Sequence, residues 1–342
     1  MQKTLDDNLA ALAGSPLADT AACVGSLAAA AIELHRLIQN GGAEGGAEAT
    51  GIGNSGGDLQ KALDVAADRL FVEAARRSPV SFYGSEEQDE AVPMAPAGTL
   101  ALAIDPLDGS SNIETNVSIG TIFSILPAGG EHAGADTVFR QPGRRQLAAG
   151  FFVYGPQLLL VLSFGQGTAT YAFRPATGRF EVLIEAMAIP ETAKEFAVNA
   201  SNQRHWEAPM RRYIDDCLAG KDGPRGRDFN MRWVASAVAD AYRIFLRGGV
   251  YLYPGDTRKG YSSGRIRLTY EANPIAFLAE NAGGAASDGL NPILDIVPEG
   301  LHQRTPVVFG SRDEVLEVAR YAADPDNLGE RFSAFERPLA PL

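Results

Sequence analysis

The chain has 342 residues, 45% hydrophobic and 21% charged, with a formal net charge of −12. That size suits one large or two intimately packed domains, and no run approaches the ~18 consecutive apolar residues of a bilayer span. The acidic balance argues against a protein that coats nucleic acid or an anionic membrane by bulk electrostatics.

The opening residues Met1-Gln2-Lys3-Thr4-Leu5-Asp6-Asp7 lack a signal-peptide core, and Cys23 and Cys217 show neither CxxC nor disulfide-framework spacing. A cytoplasmic protein with reduced thiols is expected. After Ser15-Pro16, residues Val24, Leu27, Ala28, Ala31, Leu34 and Ile38 recur at helical spacing, and Gly41-Gly42 supplies the stop. Residues 41–57 are glycine-rich and read as a long loop without a nucleotide fingerprint. A second helix is expected from near Lys61, with Leu63, Ala66, Ala67, Leu70 and Ala74 inward, Asp64 in its first turn, and an end before Pro79.

Residues 99–105 form an apolar strand ending on a carboxylate. Pro106 is expected to stop the ladder, leaving 106–112 as a loop before a strand over 117–126. Between 150 and 184 the runs FFVY, LLLVLSF, TATYAF and RFEVLI, separated by glycine and proline, read as an antiparallel meander. Beyond about residue 188 strands and helices alternate. A largely apolar helix over 233–245 follows Arg232, and Asn273 and Pro274 are expected to cap and open a helix ending at Gly283-Gly284. A strand over 306–310 runs into a capping box, Ser311-Arg312-Asp313-Glu314, and a last helix. Two α/β layers sharing a wall are expected.

Charge is unevenly spread. No lysine or arginine occurs from residue 78 to 139, although Glu86, Glu87, Asp89, Glu90, Asp105, Asp108 and Glu114 do. Residues 202–267 hold thirteen Lys+Arg against seven Asp+Glu, a composition suited to gripping an anion. Two solvated faces of opposite sign would read the same way.

The segment Asp105-Pro106-Leu107-Asp108-Gly109-Ser110-Ser111-Asn112 is the most informative. Its two carboxylates, at the carboxyl end of a strand, can meet one ion. Gly109 and the small hydroxyl residues leave N–H groups open to a phosphoryl oxygen. In isolation Asp-Pro and Asp-Gly mean a surface turn, Glu86-Glu87 a solvated face, and Asp58 with Asp64 acids answering a helix dipole.

Together, Asn54-x3-Asp58-x5-Asp64, Glu86-Glu87, the segment from Asp105 to Asn112, and Tyr270-Glu271-Ala272-Asn273-Pro274 resemble the class I fructose-1,6-bisphosphatases. Gln141-Pro142-Gly143-Arg144, Gly248-Gly249-Val250-Tyr251-Leu252-Tyr253-Pro254 and Ala282-Gly283-Gly284 extend the resemblance, which runs from about residue 54 to 310. The family belongs to the metal-dependent phosphatases that include inositol monophosphatase. The resemblance implies an α/β sugar phosphatase fold layered α/β/α/β/α, in two intimately packed domains, 1–188 with most metal ligands and 189–342 with the sugar-phosphate pocket.

It further implies hydrolysis of the 1-phosphate of fructose 1,6-bisphosphate, with two or more Mg2+ ions per subunit and Mn2+ as a substitute. Glu86, Asp105, Asp108, Glu271 and Asp58 would hold the ions with the Leu107 carbonyl, and Glu87 with Asp64 would accept a proton from the attacking water. Asp108, Gly109, Ser110 and Ser111 would contact substrate, and Asn199, Arg232, Tyr253 and Arg265 would bind the second phosphate. Trp233 and Asn202 replace tyrosines common in the family, and Arg265 replaces its usual lysine. Arg232 would act across a subunit interface, which implies a homotetramer or at least a homodimer.

The alternatives are sedoheptulose-1,7-bisphosphatase or dual activity, an inositol-type monophosphatase, and a non-catalytic sugar-phosphate-binding regulator. The basic 202–267 region weighs against a monophosphatase, and the presence of Glu87 and Asp64 weighs against a mere binder. AMP-inhibited relatives use a threonine-rich turn and a lysine-tyrosine pair where this chain has Leu17-Ala18-Asp19-Thr20 and Thr99-Leu100. With only Arg144 remaining, weak or absent AMP inhibition is expected.

Overall fold

The computed structural model describes residues 2–41, 56–129, 134–135 and 137–323, with the backbone alone for 56–60. Asn54 and the side chain of Asp58 therefore lie outside the described residues. A reciprocal Thr4–Asp7 capping box, which the periodicity did not signal, opens α1 (Leu5–Ala11). Helices α2 (Ala18–Gln39) and α3 (Gly56–Arg76) follow with the expected faces inward: Val24, Leu27, Ala31 and Leu34 on one, Leu63, Ala67 and Ala74 on the other, are buried. By length and composition α2 could cross a membrane, but its apolar side is packed into the core. Helix α3 starts earlier than expected, so Asp64 sits in its middle and not in its first turn.

The main sheet contains β1 (Val80–Ser85), β2 (Val92–Pro93), β3 (Leu100–Asp108), β4 (Ile119–Pro127), β5 (Ala148–Tyr154), β6 (Leu158–Ser163), β7 (Thr168–Arg174) and β8 (Arg179–Ile184). Their order is β2-β1-β3-β4-β5-β6-β7-β8, antiparallel throughout except for the β1–β3 pair. The expected meander is its second half. Alternation along the strands sends Leu102, Ile104, Phe123 and Phe152 toward α2 and α3, and Ile122, Phe151 and Val161 to the opposite side.

A second sheet joins β9 (Glu195–Ala197), β10 (Asn230–Met231), β11 (Val250–Tyr253), β13 (Ala285–Ser287) and β15 (Val307–Gly310) in the order β10-β9-β11-β15-β13, while β12 (Ile266–Arg267) pairs with β14 (Arg304–Thr305). Helices α5 (Ala237–Arg247) and α6 (Asn273–Asn281) lie between the sheets, where Phe245 and Leu278 share a core with Phe151 and Phe309. Helices α4 (Ala208–Leu218) and α7 (Arg312–Ala323) cover the outer face through Tyr213, Ile214, Val315 and Val318. The layers therefore run α/β/α/β/α, as the resemblance implied.

Four local expectations are corrected. Strand β3 does not end at Asp105; it continues through Pro106 to Asp108, with an irregular register against β4 between the two aspartates. Proline withholds one ladder N–H, so the strand slips locally and then resumes. The helix after Arg232 begins at Ala237, leaving Trp233 outside it. Asn273 does not cap α6, because a π-helical turn, Leu268–Ala272, feeds directly into that helix and Asn273 is itself helical. The Ser311 capping box is not formed. The Ser311 hydroxyl accepts the Gly249 N–H at 3.0 Å, and the fully buried Glu314 carboxylate accepts from the Tyr213 hydroxyl, Arg225 and Arg227. A carboxylate excluded from water needs several donors, and that requirement overrides a local cap.

Candidate active site

Three carboxylates converge behind the irregular end of β3. Asp105, Asp108 and Glu271 are all buried, and each offers an oxygen within 4.8 Å of the others. Asp105 accepts the Leu107 N–H at 3.0 Å, which folds the two-residue spacer tightly between the aspartates. Asp108 accepts the Val238 N–H at 3.2 Å and also that of Ala237, so it occupies the N-terminus of α5, where a helix favours negative charge. Glu271 lies in the π-helical turn and accepts the Arg267 N–H at 2.7 Å. Such turns recur at functional sites because they tilt one side chain out of helical register.

The electrostatics are those of an under-neutralised acidic cluster. Burial, then the Asp108 and Glu271 charges, pushes the Asp105 carboxyl well above the usual range. Burial and the Glu271 charge push Asp108 up to about 7, while Glu271 is raised by burial against the opposing pull of Arg267. Arg267 also pairs with Glu86, placing a cation beside a sequence stretch that has none of its own. An all-oxygen donor set with excess negative charge fits a hard divalent cation.

Glu87 and Asp64 form the adjoining part. Burial raises the Glu87 carboxyl, followed by the Asp64 and Asp68 charges on α3. Asp64 is also raised by burial, and a hydrogen bond from Ser110 offsets part of that. Ser110 opens a single turn of 3-10 helix, Ser110–Asn112, after Gly109, whose φ of 75° is the left-handed conformation that glycine adopts without strain. Ser111 is exposed on that turn, and Asn112 donates to the Ala235 carbonyl at 2.8 Å, tying the turn to the approach to α5.

Asn199, Tyr253 and Arg265 line a separate pocket together with Asn202, Trp206 and Arg258. Two guanidinium groups lie over the Tyr261 ring, Arg258 at 4.5 Å and Arg265 at 5.0 Å from its centroid. Trp233 does not line this pocket and instead stacks on Tyr251 at 5.6 Å, beside Tyr253. Arg232 is exposed beyond edge strand β10 and donates to its own Met231 carbonyl at 3.0 Å.

The fold thus brings together Asp105, Asp108 and Glu271, links Glu86 to Glu271 through Arg267, leaves Glu87 under the influence of the Asp64 charge, and gathers Asn199, Tyr253 and Arg265 elsewhere. It does not bring Arg232 to that pocket within one chain. Part of the positive charge in 202–267 is committed within the chain, because Arg225 and Arg227 neutralise Glu314, Arg243 pairs with Glu195 and Arg258 with Asp256. Arg267, Asp68 and the amide end of α5 were missed by reading the sequence. Arg267 alone left a signal, standing four residues before Glu271, the spacing of a helical ion pair.

A family model described as Fructose-1-6-bisphosphatase, N-terminal domain, matches residues 17–185, and one described as Fructose-1-6-bisphosphatase, C-terminal domain, matches 189–323. The chain is 56% identical over 319 residues to the fructose-1,6-bisphosphatase class 1 of Rhizobium meliloti (strain 1021), a match covering 93% of this chain and 91% of that one. To the protein of the same description from Azorhizobium caulinodans it is 56% identical over 308 residues, covering 88% and 93%. The crystal structure of Leishmania major fructose-1,6-bisphosphatase in holo form matches with a TM-score of 0.83 at 30% identity, over 94% of this chain and 99% of that one. Its apo form gives 0.82 at 29%, over 94% and 100%.

Proposed function

This chain belongs to the class I fructose-1,6-bisphosphatases, and on that premise we propose that it hydrolyses the 1-phosphate of fructose 1,6-bisphosphate with bound Mg2+, as a cytoplasmic homo-oligomer. The observation that carries this reading is the buried meeting of Asp105, Asp108 and Glu271. Carboxylates at that separation repel one another and a phosphate alike, and only added positive charge makes the place a phosphate site.

Glu86, Asp105, Asp108 and Glu271, with Asp58 and the Leu107 carbonyl, would hold the ions. When bound, such ions neutralise phosphoryl oxygens, acidify water and stabilise a departing alkoxide. Glu87 takes the proton of the attacking water on its carboxylate, and the burial and neighbouring Asp64 and Asp68 charges that raise its proton affinity favour that step. Asp64 shares the proton and, through Ser110, ties the proton-accepting pair to the loop that faces the phosphoryl group. Gly109, Ser110 and Ser111 orient that group with N–H and hydroxyl donors, and Asp108 also meets the substrate.

Asn199, Tyr253 and Arg265 hold the second phosphate in the pocket they line, with Arg232 supplied by a neighbouring subunit. The exposed position of Arg232, flanked by Met231 and Val234 at 45% and 40% exposure, supports an interface there. Residues 1–188 and 189–342 are the two domains, one supplying most metal ligands and the other the pocket. The two buried free thiols, Cys23 and Cys217, fit a reducing compartment.

The deciding assay is phosphate release by the purified protein from fructose 1,6-bisphosphate, sedoheptulose 1,7-bisphosphate and inositol monophosphate, with Mg2+ and with chelator. Fructose 1,6-bisphosphate should turn over fastest, with activity lost in chelator and lowered by orders of magnitude in a folded Asp108→Asn variant. Full activity in chelator, or preference for the monophosphate, would refute this function.

A further inference from the structure

The turn that presents Glu86 and Glu87 is held from two sides. Asp68, one helical turn beyond Asp64 on α3, is only 8% exposed. Its Oδ1 accepts from the Tyr83 hydroxyl at 2.8 Å and the Ser85 hydroxyl at 2.7 Å, and its Oδ2 accepts from the Gln88 amide at 2.7 Å. Tyr83 and Ser85 precede the acid pair and Gln88 follows it, so one carboxylate holds both ends of the segment. The Ser85 hydroxyl also accepts the Glu87 N–H at 3.2 Å, which links Asp68 to the backbone of the acid pair itself.

The opposite anchor comes from the C-terminal half of the chain. His302 Nε2 lies 2.9 Å from the Gln88 carbonyl and 3.2 Å from that of Asp89. Both partners are acceptors, so Nε2 carries the proton, and Nδ1 in the neutral ring accepts from the Tyr270 hydroxyl at 2.8 Å. Tyr270 immediately precedes Glu271. The turn is therefore tied through Asp68 to the helix that carries Asp64, and through His302 and Tyr270 to the turn that carries Glu271.

We infer that Asp68 is a positioning residue of this active site. Through Ser85 and Gln88 it fixes the Glu86-Glu87 turn so that Glu86 meets Arg267, which also pairs with Glu271, while Glu87 stays under the influence of Asp64, and His302 is the opposing anchor. Two adjacent glutamates beside further acids repel their surroundings, and a turn of this kind drifts toward solvent unless directional bonds restrain it. A carboxylate with three neutral donors supplies that restraint without adding a cation that would compete for the metal ligands. The inference rests on the reading of Glu86 as a metal ligand and Glu87 as a proton acceptor.

Its test uses the full-length protein, with Mn2+ binding measured by calorimetry without substrate, and kcat and KM measured on fructose 1,6-bisphosphate. Ser85→Ala cuts the link to the Glu87 N–H yet leaves Asp68 its other two donors. It should weaken Mn2+ binding and lower kcat by roughly tenfold each, the scale of one lost hydrogen bond, with KM and melting temperature nearly unchanged. Asp68→Ala should do the same with a lower melting temperature. Asp68→Asn keeps an acceptor for Tyr83 and Ser85, and should return Mn2+ affinity to within about threefold of wild type. Wild-type Mn2+ binding and kcat in Ser85→Ala and Asp68→Ala would overturn the inference, as would a rise in KM with kcat unchanged. A wild-type protein that neither binds Mn2+ nor releases phosphate would instead overturn the reading of the site on which the inference rests.

Discussion

The Arg267 guanidinium lies 3.3 Å from the Glu271 carboxylate and also pairs with Glu86, so one side chain bridges acids separated by 185 positions in sequence. It is the counter-charge for a part of the molecule that the chain otherwise fills with carboxylates. Arg267→Met keeps the apolar stem and removes the charge, leaving Glu86 without its ion pair and Glu271 facing Asp105 and Asp108 without a counter-charge. The metal-free variant should lose about 2 kcal/mol of stability, a fall of several degrees in melting temperature. Excess Mn2+ should narrow the gap, because a bound cation replaces the missing charge. Equal melting temperatures of metal-free wild type and variant would contradict this role.

The same cluster gives a pH dependence of defined sign. Burial raises Asp108 from 3.8 to about 7 and Asp240 from 3.8 to about 6 in the folded protein. Their folded forms bind protons more tightly than the unfolded chain does, so this contribution favours folding at low pH and is lost as pH climbs toward 7. Metal-free protein should therefore melt at a lower temperature at pH 8 than at pH 6. Mg2+ competes with protons for the same oxygens, so it should stabilise the protein more at pH 8. Thermal unfolding at both values, with and without Mg2+, checks the sign, and equal stabilisation at the two would count against a cation on Asp108.

Thr99 donates to Asp19 at 2.5 Å, and the resemblance puts these residues at or near the two places where AMP-inhibited relatives carry a lysine-tyrosine pair and a threonine-rich turn. On that resemblance, Asp19 puts a carboxylate, and no cation, near where an incoming phosphate would sit. Arg144 is already engaged, pairing with Glu280 at 3.0 Å and with Asp295. Loss of one charge-assisted bond costs roughly 1.5–3 kcal/mol, tenfold or more in affinity. AMP should inhibit phosphate release weakly or not at all, and potent inhibition at low-micromolar AMP would refute this.

Arg232 lies outside the pocket of its own chain, which makes subunit complementation informative. Asp108→Asn and Arg232→Ala should each be nearly inactive alone. When the two are dissociated, mixed and reassociated, a hybrid pair holds one site with an intact Asp108 from one chain and an intact Arg232 from the other. Activity should reappear. A mixture no more active than its parents would exclude the shared site.

By itself the sequence determined the features set by backbone periodicity and local chemistry. The 3.6-residue spacing of Leu27, Ala31 and Leu34 was enough for α2, because a helix needs one apolar face wherever it finally packs, and the apolar runs between 150 and 184, punctuated by glycine and proline, were enough for the meander, whose first two strands are buried throughout. The pairing of Asp105 with Asp108 across a proline, before a glycine that leaves N–H groups open, was equally visible since it lies within five residues. Local reading failed where a buried charge had to choose its partner. Ser311 and Glu314 matched a capping box, yet Glu314 is buried and takes Arg225, Arg227 and Tyr213 from other elements. Likewise no spacing rule connects Asp68 to Gln88, Arg267 to Glu86, or His302 to the turn after Glu87. Tertiary structure decided these contacts because a charged or polar group drawn wholly or nearly so from water, as Glu314 and Asp68 are, or partly, as Glu86 and Arg267 are, must be satisfied by whichever donor or acceptor the packed layers bring within reach.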